Sequence, residues 1–238
     1  MTHTNHRRGS RESLSRDFVI LSMIEPTSEA QRTYRGPLEE RVRRFLEICG
    51  RYRPVAIAAR AQGRRLRYLK GWTPEMNSGI HQAASLEEVI RCEEIEGGVG
   101  HAVYADREAV IDVLRELREA DLGLSIVVSG VFEEVFEACR RAGLKPHTVN
   151  MSLGTWGRTE LLPDEPVLEL CTMCGHAMIS RRLAEAMIER VGAGALTPEA
   201  AAVELGKQCT CNIFNTVRGA EIIKKAVSER KRLKMINT

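Results

Sequence analysis

The sequence predicts an α/β protein in which an N-terminal layer, a sheet covered by helices, precedes a C-terminal helical lobe that binds metal. In residues 17–160, apolar residues recur with strand spacing and helix spacing in alternation, whereas in 161–238 only helical spacing is found. Two close cysteine pairs lie in this second part, each just before a predicted helix. We therefore divide the chain into a disordered basic tail (1–16), an α/β domain (17–160) and a cysteine-rich metal-binding lobe (161–238).

Composition limits the class of protein. A chain of 238 residues that is 43% hydrophobic can bury a substantial core. It has no apolar run long enough for a membrane span, and the N-terminus lacks the apolar stretch of a secretory signal. Its seven cysteines are an odd number and mostly sit in tight pairs, which favours reduced, metal-binding thiols over disulfides. We expect a cytoplasmic protein with no membrane partner.

The net charge of +3 is unevenly distributed along the chain. Residues 1–16 hold four arginines and one glutamate, and residues 224–234 hold six basic residues and one glutamate. These ends contribute +3 and +5, so the middle of the chain is near −5. A nucleic-acid-binding protein needs a basic face interleaved with aromatic residues, but aromatics are only 5% of this sequence. Solvated ends are therefore favoured over nucleic-acid binding.

Strands and helices alternate in the N-terminal part. FVILSMI (18–24) has the composition of a strand, and Pro37 begins an amphipathic helix over LEERVRRFLEIC. PVAIAAR (54–60) and RRLRYLKGW (64–72) flank Gln62-Gly63 and predict a hairpin. A sheet built from such strands is expected to be covered by helices, with right-handed crossovers wherever successive strands are parallel.

The next elements carry clear boundary signals. Ser85 and Glu88 have the spacing of a capping box, and Asp106 is suited to cap the helix that follows it. LSIVVSG (124–130) predicts a strand, a helix should then end at Gly143, and HTVNMSLG predicts a further strand. After residue 161 the spacing predicts only helices, over about 176–191, 198–207 and 214–230.

The cysteine pairs lie in LCTMCGHAMIS (170–180) and QCTCNIFN (208–215). Pairs that precede helices are exposed to free backbone N–H groups and to the positive helix end, both of which stabilise thiolates. The helical hairpin between the two segments would bring its ends together. Four thiol ligands for one metal site are then Cys171, Cys174, Cys209 and Cys211.

The ligand type leaves three interpretations. An iron–sulfur cluster, with [4Fe–4S] favoured, uses four thiolates and gains from nearby N–H donors. Zinc is the alternative, but zinc ribbons usually bind through tight knuckles, and here both pairs precede helices in a chain already large enough to fold. A dithiol redox site or structural thiols form the third possibility.

His176 follows Cys174 by two residues and is a candidate ligand or acid–base catalyst, or else a helix-start residue bonded to backbone. If His176 or a substrate replaced one cysteine, the site would have an open position. An open metal position permits Lewis-acid chemistry, such as removal of water, ammonia or sulfide from a small anion.

A polar segment, HTVNMSLGTWGRTE (147–160), lies where the predicted strand leads towards the cysteines. Strand ends in α/β layers often bind ligands, so His147 and Arg158 are candidate catalytic residues, and Asn150 and Ser152 are candidate cofactor-binding residues. Arg158 is suited to hold a carboxylate or phosphate. The alternative is an ordinary polar loop with Trp156 covering the core.

Polar residues also follow the second cysteine pair. Asn212 and Arg218 are further candidate cofactor-binding residues, with Arg218 facing a bound anion, whereas Asn215 is best interpreted as a helix N-cap. The remaining three cysteines fall on predicted helices, where packing in the core is the favoured role: Cys49, Cys92 and Cys139.

The leading functional expectation is a cytoplasmic iron–sulfur enzyme that acts on a small polar or anionic substrate, of lyase, desulfidase or reductase type. Its cluster would lie between the α/β layer and the helical lobe. A homo-oligomer or a redox partner protein is compatible with this. The alternative is a non-enzymatic module, stabilised by zinc or carrying electrons, that docks a partner through its basic C-terminal helix.

Overall fold

The computed structural model describes residues 6–23, 36–61, 64–79, 81–96 and 99–236. Within these residues the protein is a mixed α/β fold, as expected, built on one five-stranded sheet. The strands are β1 (Phe18–Met23), β2 (Ala56–Ala61), β3 (Arg64–Leu69), β4 (His101–Tyr104) and β5 (Ser125–Ser129).

The strand order is β3-β2-β4-β1-β5, and every pair of neighbours is antiparallel. The predicted hairpin is confirmed, since β2 and β3 pair along their whole length from Ala56 opposite Leu69 to Ala61 opposite Arg64. Its turn at Gln62-Gly63 lies outside the described residues. Because no described strands are parallel neighbours, the right-handed crossover expected for parallel strands is not used here.

Helices surround the sheet. The predicted capping box is confirmed, because the Ser85 side chain and Glu88 bond reciprocally to each other's backbone N–H. Asp106 caps its helix as predicted, accepting a hydrogen bond from the Ala109 N–H at 3.1 Å. The helices are α1 (Arg11–Leu14), α2 (Leu38–Arg51), α3 (Leu86–Ile90), α4 (Arg107–Ala120), α5 (Phe132–Arg141), α6 (Glu165–Thr172), α7 (Arg181–Gly192), α8 (Pro198–Gln208) and α9 (Thr216–Ile236).

The two faces of the sheet belong to two hydrophobic cores. Along β1, Phe18 and Ile20 pack with α2, α4 and α5, whereas Val19 and Leu21 pack with α6 to α9. This follows from the period of two along a strand, which points successive side chains to opposite faces. The C-terminal helices, expected in a separate lobe, therefore cover one face of the sheet, and the structure shows no separate metal-binding lobe.

Cys49 and Cys139 are buried in the core on the α2–α5 face, and Cys92 packs against it. This agrees with the packing role predicted for these three cysteines.

Residues 6–16, expected to be disordered with the rest of the N-terminal tail, instead contact the C-terminal helices. Arg218 of α9 is 1% exposed and forms ion pairs with Asp17 at 3.0 Å and with Glu169 at 3.1 Å. Arg7 also pairs with Asp17, and its guanidinium donates to the carbonyl of Ile213. Arg7 is thus held by a buried carboxylate, whereas Arg8, Arg11 and Arg16 pair with exposed ones.

The strand predicted over HTVNMSLG is wrong. Residues 147–154 form no strand, and every one of them is exposed. Among the described residues, no backbone hydrogen bond joins this segment to β5. Apolar and polar residues alternate here as in a strand, but that pattern cannot form a strand without a paired partner.

The buried charge network provides a test of this fold. We expect Asp17→Asn to lower the free energy of unfolding by about 3–5 kcal/mol, since it removes the carboxylate of Arg7 and leaves the buried Arg218 with Glu169 alone. Urea unfolding followed by circular dichroism measures this. Glu221→Gln is the matched control, because it breaks only the exposed pair of Glu221 with Arg16 and should cost less than about 1 kcal/mol. Equal effects of the two substitutions would contradict the assignment of Asp17 to a buried network.

Candidate metal and thiolate site

The first cysteine pair lies at the end of a helix, not at the start of one. Cys171 is in the last turn of α6, and Cys174 comes two residues after that helix ends. The next helix, α7, begins only at Arg181, because Ser180 provides the cap and accepts a hydrogen bond from the Leu183 N–H at 3.2 Å. The predicted start near residue 176 is therefore wrong by about one turn.

The second pair is placed in a similar way. Cys209 is the residue that ends α8, and Cys211 lies in the turn after it. The interpretation of Asn215 as an N-cap is confirmed, since its Oδ1 accepts from the Arg218 N–H at 3.0 Å. Both pairs thus precede irregular segments, and any stabilisation of thiolates must come from individual N–H groups and side chains.

Both irregular segments contain strained backbone. Ala177 has a φ of 53° and Asn212 a φ of 56°, which is the left-handed region. Asparagine tolerates this region, but for alanine it is unfavourable by roughly 1 kcal/mol. Such backbone persists only where the surrounding structure fixes it, and it is concentrated at functional sites.

The β2–β3 hairpin holds the second cysteine segment. Asn212 is fully buried, and its Nδ2 donates to the carbonyls of Ile57 at 2.9 Å and Tyr68 at 2.7 Å. Arg67 of β3 is 7% exposed, and its Nη2 lies 3.0 Å from the carbonyl oxygen of Cys209. Arg65 donates from the same face of β3 to the carbonyl of Thr210. The turn that carries Cys209 and Cys211 is therefore fixed against the sheet.

Three of the four predicted cysteine ligands lie in two contacting pairs, Cys174 with Cys209 and Cys211 with His176. The thiols of Cys174 and Cys209, from segments 35 residues apart, are hydrogen-bonded to each other, and both residues are buried. Cys211 Sγ lies 3.0 Å from Nδ1 of His176. His176 is exposed, so this second pair faces solvent. The structure thus brings together His176, Cys174, Cys209 and Cys211 as two contacting pairs.

The buried pair is electrically asymmetric. The hydrogen bond from Cys209 lowers the pKa of Cys174 to about 6 against the opposing effect of burial, and the N–H groups of His176 and Met178 assist. The same hydrogen bond, together with burial and the nearby Cys174 charge, raises the pKa of Cys209 well above its usual value. The opposite directions of the two shifts make Cys174 the more thiolate-like member of the pair and Cys209 the thiol that donates to it.

Cys171 is in a different environment. It is half-buried, and burial followed by the nearby carboxylate of Glu185 raises the pKa of its thiol, with Arg181 acting in the opposite direction. These two charged residues belong to α7. Cys171 thus differs from Cys174, because its surroundings favour the protonated thiol.

The thiols do not form a complete ligand shell as they stand. Among the described residues, no group of three or more His, Cys, Asp or Glu side chains is arranged closely enough to hold a metal ion. The two contacting pairs supply sulfur and imidazole donors, which are the donor types that soft and borderline metals prefer.

The residues predicted from the polar segment lie elsewhere. His147, Asn150 and Ser152 are exposed and line a cavity of about 1080 Å³ beside β5, and no cysteine of the two pairs lines that cavity. Arg158 is exposed and pairs with Glu160 at 2.9 Å. The structure therefore does not bring these candidates to the cysteine pairs.

The two candidates after the second cysteine pair have structural contacts. Asn212 ties its turn to β2 and β3, although its Oδ1 has no hydrogen-bond partner. The Arg218 side chain, expected to face a bound anion, is instead directed to Asp17 and Glu169.

Sequence reasoning missed Arg67. In RRLRYLKGW the residues alternate, so that Leu66 and Tyr68 join the core on the α2–α5 face while Leu69 joins the core that contains the cysteines. Arg67 shares the face of Leu69 by the period of two. That alternation was the available signal for a basic residue buried beneath the cysteine segment.

Comparison with known proteins gave no relatives, since no family model, no curated protein and no solved structure matches the chain. No helix in the described part of the chain combines the length and apolar character that crossing a membrane requires.

The asymmetric thiol pair gives a direct prediction. In the metal-free, reduced protein, ultraviolet thiolate absorbance should rise in a step with a midpoint near pH 6, because one proton leaves the Cys174–Cys209 pair there. Cys174→Ser should abolish the step. Cys92→Ser, which removes a cysteine outside the site, should leave it in place. A step that survives Cys174→Ser would show that another group titrates.

Proposed function

We propose that the protein binds a thiolate-ligated metal centre, an iron–sulfur cluster in the first instance, through Cys174, Cys209 and Cys211, with Cys171 or His176 as the fourth ligand. A [4Fe–4S] cluster fits this supply of sulfur ligands, and zinc is the alternative occupant. The observation that carries the proposal is the contact of Cys174 with Cys209, from segments 35 residues apart, with Cys211 and His176 close enough to act electrostatically on this pair.

The backbone around the thiols supports the proposal. N–H groups of His176 and Met178 point to the Cys174 sulfur, and the N–H of Ile213 bonds to Cys209. Hydrogen bonds of this kind stabilise metal-bound thiolates and tune cluster potentials. The sulfurs need to move from two pairs into one shell, and the Cys174 and Cys211 side chains can rotate to do so while the Cys209 backbone stays bonded to Arg67.

The exposed position of His176 favours an enzyme over a purely structural site. Its imidazole contacts the sulfur of Cys211 and faces solvent, so it can serve as a ligand that leaves or as a proton donor to a bound molecule. The substrate would be a small polar or anionic molecule, and the reaction of lyase, desulfidase or reductase type.

Metal content tests the proposal. Protein purified without oxygen should be brown and contain iron and sulfide in equal amounts, because four thiolates hold a cluster in that form. Cys174→Ser, Cys209→Ser and Cys211→Ser should each lose most of the iron. Elemental analysis and the visible spectrum provide the readout. Colourless protein with one zinc per chain would identify zinc as the bound metal, and protein with neither metal would contradict the proposal.

Two further variants identify the fourth ligand. Cys171→Ser and His176→Ala should differ, with the larger loss of iron at the residue that binds. Cys92→Ser is the control. Cys92 packs against the other core, so this variant should keep the iron of the wild-type protein. Retention of the cluster with loss of turnover in His176→Ala would assign that residue to catalysis.

One observation favours a second candidate, a dithiol redox site. Cys174 and Cys209 are in hydrogen-bonding contact, and a low-pKa thiolate beside a protonated thiol is the arrangement of disulfide oxidoreductases. The Cys174 thiolate would attack a disulfide of the substrate, and Cys209 would then resolve the mixed disulfide and release the reduced thiols.

Mild oxidation distinguishes the two candidates. In metal-free protein treated with oxidised glutathione, the dithiol function predicts a Cys174–Cys209 disulfide, detected by mass spectrometry of the digested protein. Cys209→Ser should then trap the mixed disulfide with glutathione on Cys174. A mixed disulfide that forms equally on Cys211 would exclude this function, because the low pKa should make Cys174 the preferred nucleophile.

A further inference from the structure

We infer that Arg67 is the built-in counter-ion of the cysteine site, and that this site takes a centre of net negative charge, a metal ion or cluster bound by at least three thiolates. The inference rests on the proposed metal site and specifies its charge and ligand class. It also assigns a positioning role to a residue of the β-sheet that touches no substrate.

The environment of the Arg67 guanidinium requires an anion. The side chain is buried, and its Nη2 lies 3.2, 3.1 and 3.0 Å from the carbonyl oxygens of Gly206, Lys207 and Cys209. No carboxylate of the described residues forms an ion pair with it, and its Nε has no hydrogen-bond partner. The other buried arginine of this core, Arg218, has both Asp17 and Glu169. A buried cation without an anion is strongly unfavourable, so Arg67 lacks the partner that its burial calls for.

Burial lowers the pKa of Arg67, and among the described residues the groups that raise it are the site cysteines in their ionised form, Cys209 first and then Cys211 and Cys174. Binding of a metal would ionise these thiols together and place their negative charge beside the guanidinium. A divalent ion held by three or four thiolates keeps a net negative charge, as does a four-thiolate cluster. A site with fewer thiolates and neutral imidazole donors would leave Arg67 uncompensated.

Arg67 is also fixed in place. Its guanidinium lies 5.0 Å from the ring centre of Trp72, in a cation–π contact, and Trp72 is itself buried. Arg65 adds a second positive charge from the same strand face, at the carbonyl of Thr210. The two positive charges are therefore fixed on the sheet before any ligand binds, so these side chains need not move when an anionic centre forms.

Zinc affinity of the metal-free, reduced protein tests this with Zn²⁺ as the probe, by competition with a chromophoric chelator. Arg67→Met removes the charge and keeps much of the volume, and we expect it to weaken Zn²⁺ binding by about 10–100-fold. Arg67→Lys keeps the charge but loses the planar guanidinium that contacts Trp72 and the carbonyls, so its loss should be smaller and below about tenfold. Arg67 also holds the end of α8, so the unfolding midpoints of the metal-free variants are measured in parallel.

The outcomes separate the two proposals. If wild type binds neither zinc nor iron, the proposed function fails. If wild type binds but Arg67→Met binds as tightly, the counter-ion role is wrong while the metal site stands. If Arg67 is only structural, the loss of Zn²⁺ affinity in each variant should follow the fall in its metal-free unfolding midpoint. That result would also overturn the inference. Should Arg67→Met fail to fold, Arg67→Lys decides alone, because a tenfold loss with the charge retained contradicts the role.

Discussion

The site depends on one buried clamp, the hydrogen bonds that run from the β2–β3 hairpin to the end of α8. Arg67 binds the last carbonyls of that helix, and Asn212 binds the carbonyls of Ile57 and Tyr68. Carbonyls at a helix end have no partner within the helix, so the guanidinium satisfies groups that would otherwise be buried without hydrogen bonds. Since every bond is formed in the interior, where water cannot replace it, the position of Cys209 relative to the sheet is tightly fixed.

The first cysteine segment reaches the same place by a different route. It is held through α6, whose Glu169 belongs to the buried charge network of Arg218, and the Arg8 N–H donates to Thr172. The N-terminal residues contact both cysteine segments, because Arg7 also donates to the Ile213 carbonyl, whereas the hairpin holds the second segment. The thiol contact between Cys174 and Cys209 is where these two attachments meet.

Local signals in the sequence were reliable wherever the deciding contact was local. The capping box of Ser85, the cap at Asp106 and the hairpin of β2 and β3 all depend on residues within a few positions, and all are confirmed. The strand predicted at 147–154 failed because its pattern needed a partner strand that no short-range signal specifies. Arg67 was missed because the Gly206 carbonyl that it binds lies 139 residues away in the sequence. The buried Asp17–Arg218 pair was missed because its two residues are 201 positions apart. The cysteines themselves were predictable from spacing, but their place at helix ends depended on the caps at Ser180 and Asn215.

Several unfavourable features occur at the cysteine segments. Left-handed backbone at Ala177 and Asn212, a buried arginine without a carboxylate, and buried polar atoms without partners at Asn212 and Arg67 all occur within this one region. The chain has two large cores, so strained backbone and unpaired buried groups are not needed for it to fold. A region that only closed the fold would be expected to lose these features, because each has a simple, more stable replacement. Their joint retention is understood if the segments hold an anionic centre whose binding free energy offsets them.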